Sequence, residues 1–232
     1  MHAPVDQHHG KRPEGLRAER TRPRHVLRDR RSLPPPVEAH QGHRGPVHPP
    51  AQLPGVLGVR EEGTSYRVFS ALLVNGLFQT EDYARAILTN TDGANSTEFT
   101  AKRMDRQAVL TRDNPPHAWL VLDETVLRRN VGSPDIMREQ LNYLLTASER
   151  INTMIQVIPS STGYHAGLGG SFTILSFDEE ADLAYTESAG EGLLIEKPAR
   201  IKHKVVTWDL IRGYALPIEE SRALIRKVME EL

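Results

Sequence analysis

From the stretch "RVFSALLVNGLFQTEDYARAIL" (67–88) onward, apolar positions recur at two spacings, and each spacing predicts an element. Thr80 caps a helix whose first turn carries Glu81 and Asp82, favourable near the positive end of a helix dipole, and Tyr83, Ala84, Ile87 and Leu88 share one of its faces. After the polar break "TNTDGANST" a second, highly charged helix runs from Thr97 to Leu110. "NPPHAWLVLDE" reads as a turn and then a strand, Ala118–Asp123, whose unbroken apolar run implies burial on both faces. In "GSPDIMREQLNYLLTASER" Ser133 caps, Pro134 takes the first helical position, and Ile136, Met137, Leu141, Leu144 and Leu145 recur at three and four.

The middle of the chain is strand-rich: "NTMIQVIP", the loop "SSTGYHAGLGG", then "SFTILSF", "LAYTES" and "GLLIE". Two helices close it, Ala199–Tyr214 and Pro217–Leu232, each with an apolar side. The elements predict a mixed α/β (α+β) class, with one central, mostly antiparallel sheet, packed helices and two C-terminal helices.

Composition divides the chain. All 13 Phe, Trp and Tyr residues lie after position 60, whereas residues 1–60 hold ten of the 16 prolines and seven of the ten histidines. Lys plus Arg exceeds Asp plus Glu by 11 to 5 before that point and falls short by 18 to 25 after it, so a net charge of −1 conceals a basic leader on an acidic body. Proline removes helix donors and cannot enter central strands, and the leader has too little apolar area to offset the entropy of ordering; residues 1–55 are expected to form a disordered tail. Its arginines could neutralise phosphates, but the aromatics that stack on bases are absent. His8 and His9 lack the ligand spacing of a metal site. Loss of Ile, Asn and aromatics from the leader is also what GC-rich DNA read in another frame would produce.

With no cysteine, disulfides, thiolate metal sites and a cysteine nucleophile are excluded. Neither a membrane-length apolar run nor a secretory signal is present, which predicts a cytoplasmic protein with no membrane partner.

Chemistry is sparse. The glycine-rich loop between Pro159 and Ser171 exposes backbone amides, but it lacks the Lys-Ser/Thr ending of a P-loop and precedes a strand; a long hairpin connection is the plainer expectation. His165 beside Tyr164 has no carboxylate fixed near it in sequence. Asp123, Glu124 and Glu187 are carboxylates at strand ends. Arg67, Ser171 with Thr173, and Glu187 occur in an order loosely similar to the Arg, Ser, Glu set of arginine-type ADP-ribosyltransferases, which would make them weak catalytic candidates on a dinucleotide; Tyr185 stands where that family has a second acid.

Taken whole, "RVFSALLVNGLFQTEDYARAIL", "RMDRQAVLTRDNPPHAWLVLDETVLRRNVGSPDIMREQLNYLL", "IQVIPSSTGYHAGLGGSFTILSF" and "EESRALI" resemble the domain of unknown function that follows an Xre-type helix-turn-helix in actinobacterial transcriptional regulators of the WhiJ-like group. The resemblance spans residues 56–232. It implies a sensing or partner-binding domain without catalysis, cofactor or metal, taking either a small partner protein encoded nearby or a small-molecule effector. DNA would be bound only through an intact helix-turn-helix, which residues 1–55 do not display, so the front end is expected to be missing, out of frame or replaced; a non-functional remnant is the bleaker alternative. The nominated contacts are Gln79, Tyr83, Tyr164, His165, Gly167 and Gly169, in segments that combine turn residues with a Tyr or His able to offer both area and a hydrogen bond.

Overall fold

A computed structural model describes residues 63–92, 95–188 and 191–232, which leaves the expected tail outside the described residues. Strands β1 (Ser65–Ser70), β2 (His117–Asp123), β3 (Thr153–Ile158), β4 (Phe172–Ser176), β5 (Leu183–Ser188) and β6 (Glu191–Ile195) form one sheet in the order β3-β2-β1-β4-β5-β6. The fold is α+β, as its alternating and helical spacings predict. Three of the five strand pairings are antiparallel, and β1, β2 and β3 run parallel.

The parallel half explains where the helices lie. β1 reaches β2 through α1 (Glu81–Asp92) and α2 (Ser96–Gln107), and β2 reaches β3 through α3 (Glu124–Arg128) and α4 (Pro134–Ala147). Two successive parallel crossovers that step in the same direction, both right-handed, put their helices on one face of the sheet. That face is covered by a core in which Tyr83, Met137, Leu141 and Leu144 meet Val68, Leu120, Leu122, Ile155 and Val157, joined by Ile225 and Val228 of α6 (Ile218–Glu230). The opposite face carries Phe69, Val121, Ile158, Phe172 and Ile174, and α5 (Pro198–Tyr214) covers it with Ile201, Trp208 and Ile211.

Local chemistry agrees with the boundaries. The Ser133 hydroxyl accepts from the Ile136 amide at the start of α4, with Pro134 behind it. Gln140 is fully buried on α4; its amide donates to the Phe78 carbonyl at 2.7 Å and its Oε1 accepts from the Thr80 amide at 2.8 Å, so α4 sets where α1 begins.

One expectation fails. The loop after β3 is not a hairpin connection, because β4 does not pair with β3: it pairs with β1, two strands away. The segment 159–171 therefore crosses the carboxyl ends of the parallel strands. Length and glycine content look alike for a hairpin and for such a crossing, and only pairing separates them.

Candidate functional site

In open sheets with parallel strands, ligands gather outside the carboxyl ends of those strands, where loops converge on a rigid frame. Here three segments meet at that edge: the stretch after β1 (71–80), the β2 end at Asp123–Thr125, and the crossing loop 159–171.

Two adjacent carboxylates at the end of β2 hold that loop. Asp123 Oδ2 lies 3.0 Å from His165 Nε2, and the ring's other nitrogen, Nδ1, accepts from the Gly167 amide at 3.1 Å, so Nε2 carries the proton and donates to Asp123. Asp123 Oδ1 accepts from both the amide and the hydroxyl of Thr125, at 2.8 and 2.6 Å. Burial pushes the Asp123 carboxyl up, but the bonds from Thr125 and His165 outweigh it and hold the group below the ordinary carboxylate range. Glu124 holds the near end of the loop: Oε2 accepts from the Ser160 amide at 2.7 Å and Oε1 from Arg128 Nε at 2.6 Å. Its carboxyl is likewise lowered, because the Ser160 amide and Arg128 overcome the cost of burial. Arg128 also bonds Glu231 beyond α6, which ties the site to the end of the chain.

The loop's interior is equally constrained. Gly167 lies under Phe69, so that a Cβ at this position would stand 2.3 Å from the Phe69 ring. Gly170 has φ +115, a conformation that side chains other than hydrogen rarely adopt. His165 is 2% exposed, edge-on to Phe69 at 6.1 Å and beside Tyr214 at 6.4 Å between ring centroids. Between these anchors the loop turns outward: Tyr164 is 85% exposed and Leu168 55%, with Leu72 of the β1 loop at 61%.

The nominated residues therefore separate. Tyr164 and Gly169 are presented to solvent, whereas His165 and Gly167 anchor the loop. Gln79 and Tyr83 are buried: the Gln79 amide donates to the Val74 carbonyl at 2.6 Å, its Oε1 accepts from Arg103, and the Tyr83 hydroxyl accepts from the Val74 amide. Burial raises the Tyr83 hydroxyl.

Arg67, Ser171 and Glu187 are not brought together. Arg67 shares its sheet face with Ile174 and donates to Ser176 Oγ at 2.8 Å and Asp182 at 3.2 Å, near the amino end of β1. The Ser171 hydroxyl accepts from the Ala71 amide at the other end. Glu187 alternates with Tyr185 and Leu183 on the opposite face of the sheet. There burial and the neighbouring Glu187 charge push the Tyr185 hydroxyl up to about 12.

Residues 55–227 match the family model described as a domain of unknown function, DUF5753. The chain belongs to that family. No curated protein and no solved structure matches it. Among the described residues of this DUF5753 member, no group of three or more His, Asp or Glu is placed to hold a metal ion, and no helix is long and apolar enough to cross a membrane.

The Asp123–His165 contact is the feature that sequence reading passed over. Each residue stands out alone, but 42 positions separate them. The signal that joins them is the parallel pairing of β2 with β3, which makes the carboxyl ends of both strands neighbours.

Proposed function

We propose that this DUF5753 domain is a binding module, the effector or partner domain of an Xre-type transcriptional regulator, and that it presents the loop 160–170 as its contact. The observation that carries the reading is the way two buried-end carboxylates pin the loop, Glu124 at Ser160 and Asp123 at His165, while Tyr164 and Leu168 are left outside. A loop pinned at its start and its middle loses little entropy on binding, and an exposed Tyr gives a partner both apolar area and a hydrogen bond. The regulator setting, the cytoplasmic location and a small protein partner rest on the motif resemblance in residues 56–232. Catalysis has less support: both ring nitrogens of His165 are engaged, and the Arg67 and Glu187 side chains leave the sheet on opposite faces.

A photoreactive phenylalanine analogue at position 164 or 168, expressed in the source cell, is expected to yield one discrete adduct. Ile151, fully exposed at the opposite end of the sheet, serves as the control position and is expected to yield none. Absence of an adduct from 164 and 168, or equal labelling from 151, would reject the loop as the contact.

A further inference from the structure

α5 carries apolar residues on two sides, with Arg200, Lys202, Lys204, Asp209 and Arg212 between them. Its inner side, Ile201, Trp208 and Ile211, packs on the sheet, yet Val206 is 51% exposed, Leu210 53% and Tyr214 47%. At 3.6 residues per turn Ala199, His203, Val206, Leu210, Gly213 and Tyr214 all fall within about 60° of one line along the helix, and none of them is Asp, Glu, Lys or Arg. A surface helix normally turns a charged face outward, and one that is apolar on both sides is built to be covered twice.

The charges beside this face indicate what covers it. Lys202 and Asp209 are exposed, lie on the same flank of the stripe two turns apart, and neither makes an ion pair among the described residues. When two identical helices pair antiparallel about a twofold axis, equivalent flanks face each other. With Val206 on the axis, Asp209 stands within about one residue rise of the partner's Lys202, and the same contact repeats by symmetry. In that register small Ala199 falls opposite Gly213 and Tyr214, and His203 falls opposite the Asp209–Leu210 turn. Beyond its chain neighbours and its own helix backbone, no atom of the described residues lies within 4 Å of where a Gly213 Cβ would be, which leaves space beside it for a partner side chain.

We propose that the outer face of α5 is the interface with a second copy of this chain, packed antiparallel through Val206 and Leu210 and closed by two Lys202–Asp209 ion pairs. The stripe meets the loop 160–170 at Tyr214, which lies beside His165; substitutions at Val206 and Leu210 change no residue of that loop and so test self-association apart from partner binding.

The full chain has no cysteine, which makes Val206→Cys a clean probe: mild oxidation is expected to link it into a covalent dimer, whereas Ile151→Cys, fully exposed elsewhere, stays single. Sedimentation equilibrium of the unmodified chain between about 1 and 100 µM is expected to give twice the 26.0 kDa chain mass. Leu210→Arg is expected to raise the dimer dissociation constant by about tenfold or more, with the melting temperature within about 2 °C of wild type because the site is exposed. Lys202→Glu and Asp209→Lys should each weaken the dimer by about threefold to tenfold, and the double exchange should restore it. A single-chain mass across this range overturns the proposal, as does a dimer indifferent to Leu210→Arg. Failure of the double exchange to rescue rejects the antiparallel register and the proposal with it. A monomer in which residue 206 cross-links to the chain's own first 62 residues would name a different occupant and also overturn it.

Discussion

At the scale of single residues, the molecule's clearest constraint is the contact of Gly167 with the ring beneath it. A methyl group there would stand 2.3 and 2.6 Å from Phe69 and 2.9 Å from His165, both buried and neither able to swing aside cheaply. Gly167→Ala is therefore expected to destabilise by about 1–3 kcal/mol, read as a lower urea midpoint with an unchanged slope; Gly169→Ala, with open space around it, should be neutral. Asp123 and Glu124 make stability depend on acid. Both carboxyls titrate below their ordinary values in the folded chain, so the unfolded chain binds protons more readily. Their contribution is complete above the ordinary carboxylate pKa of about 4 and is lost as pH falls through the lower folded values. Asp123→Asn puts an amide against the His165 N–H. We expect it to lower the melting temperature at pH 7, to flatten the fall in stability between about pH 5 and 3, and to open the loop 160–170 to protease. An acid profile identical to wild type would show that Asp123 is not a source of the dependence.

At the scale of elements, the question is how an exposed sheet edge is protected. β3 ends the sheet on one side, and its outer backbone groups would offer a template for pairing with another chain. The link from α5 to α6 covers them. The Leu216 amide donates to the Val157 carbonyl at 2.9 Å, Gln156 donates to the Leu216 carbonyl, and the Val157 amide donates to the fully buried Ser221 hydroxyl at 3.0 Å. Ser221→Ala leaves the Val157 amide buried without an acceptor and is expected to cost about 1–3 kcal/mol, with faster amide exchange localised to Val157. Ser133→Ala at the start of α4 removes a cap bond of 3.3 Å at an exposed position and should cost less, about 1 kcal/mol. Helix periods, caps and most strand runs were legible in the sequence for a plain reason: each is a local pattern that one element satisfies by itself. α3, five residues long, had no period to read, and it forms because the Asp123 side chain caps it.

For the molecule as a whole, both cores and all six strands lie within the described residues after 62, and the sheet offers two faces with different fates. One is shut under core residues from α1, α3, α4 and α6 and contains the buried Gln79 and Tyr83; the other is covered by α5, whose outer side leaves Val206 and Leu210 half-exposed. A transferase built on Arg67, Ser171 and Glu187 would need all three on one side of the sheet. Calorimetric titration of the full chain with NAD is accordingly expected to give no saturable heat, and Glu187→Gln should change nothing in that experiment. Saturable binding that this substitution abolishes would revive the enzyme reading.

The chain's own pattern was enough to say where most of the described helices begin, that the fold mixes helix with strand, and that the chain carries a domain of unknown function. These properties follow from local spacing, capping and long shared motifs. Strand order, the parallel half of the sheet, the crossing path of the loop 159–171 and the joining of Asp123 to His165 were decided only in three dimensions. Each depends on which strands become neighbours, and strand pairing is made by contacts between residues far apart in the chain, which no local period records.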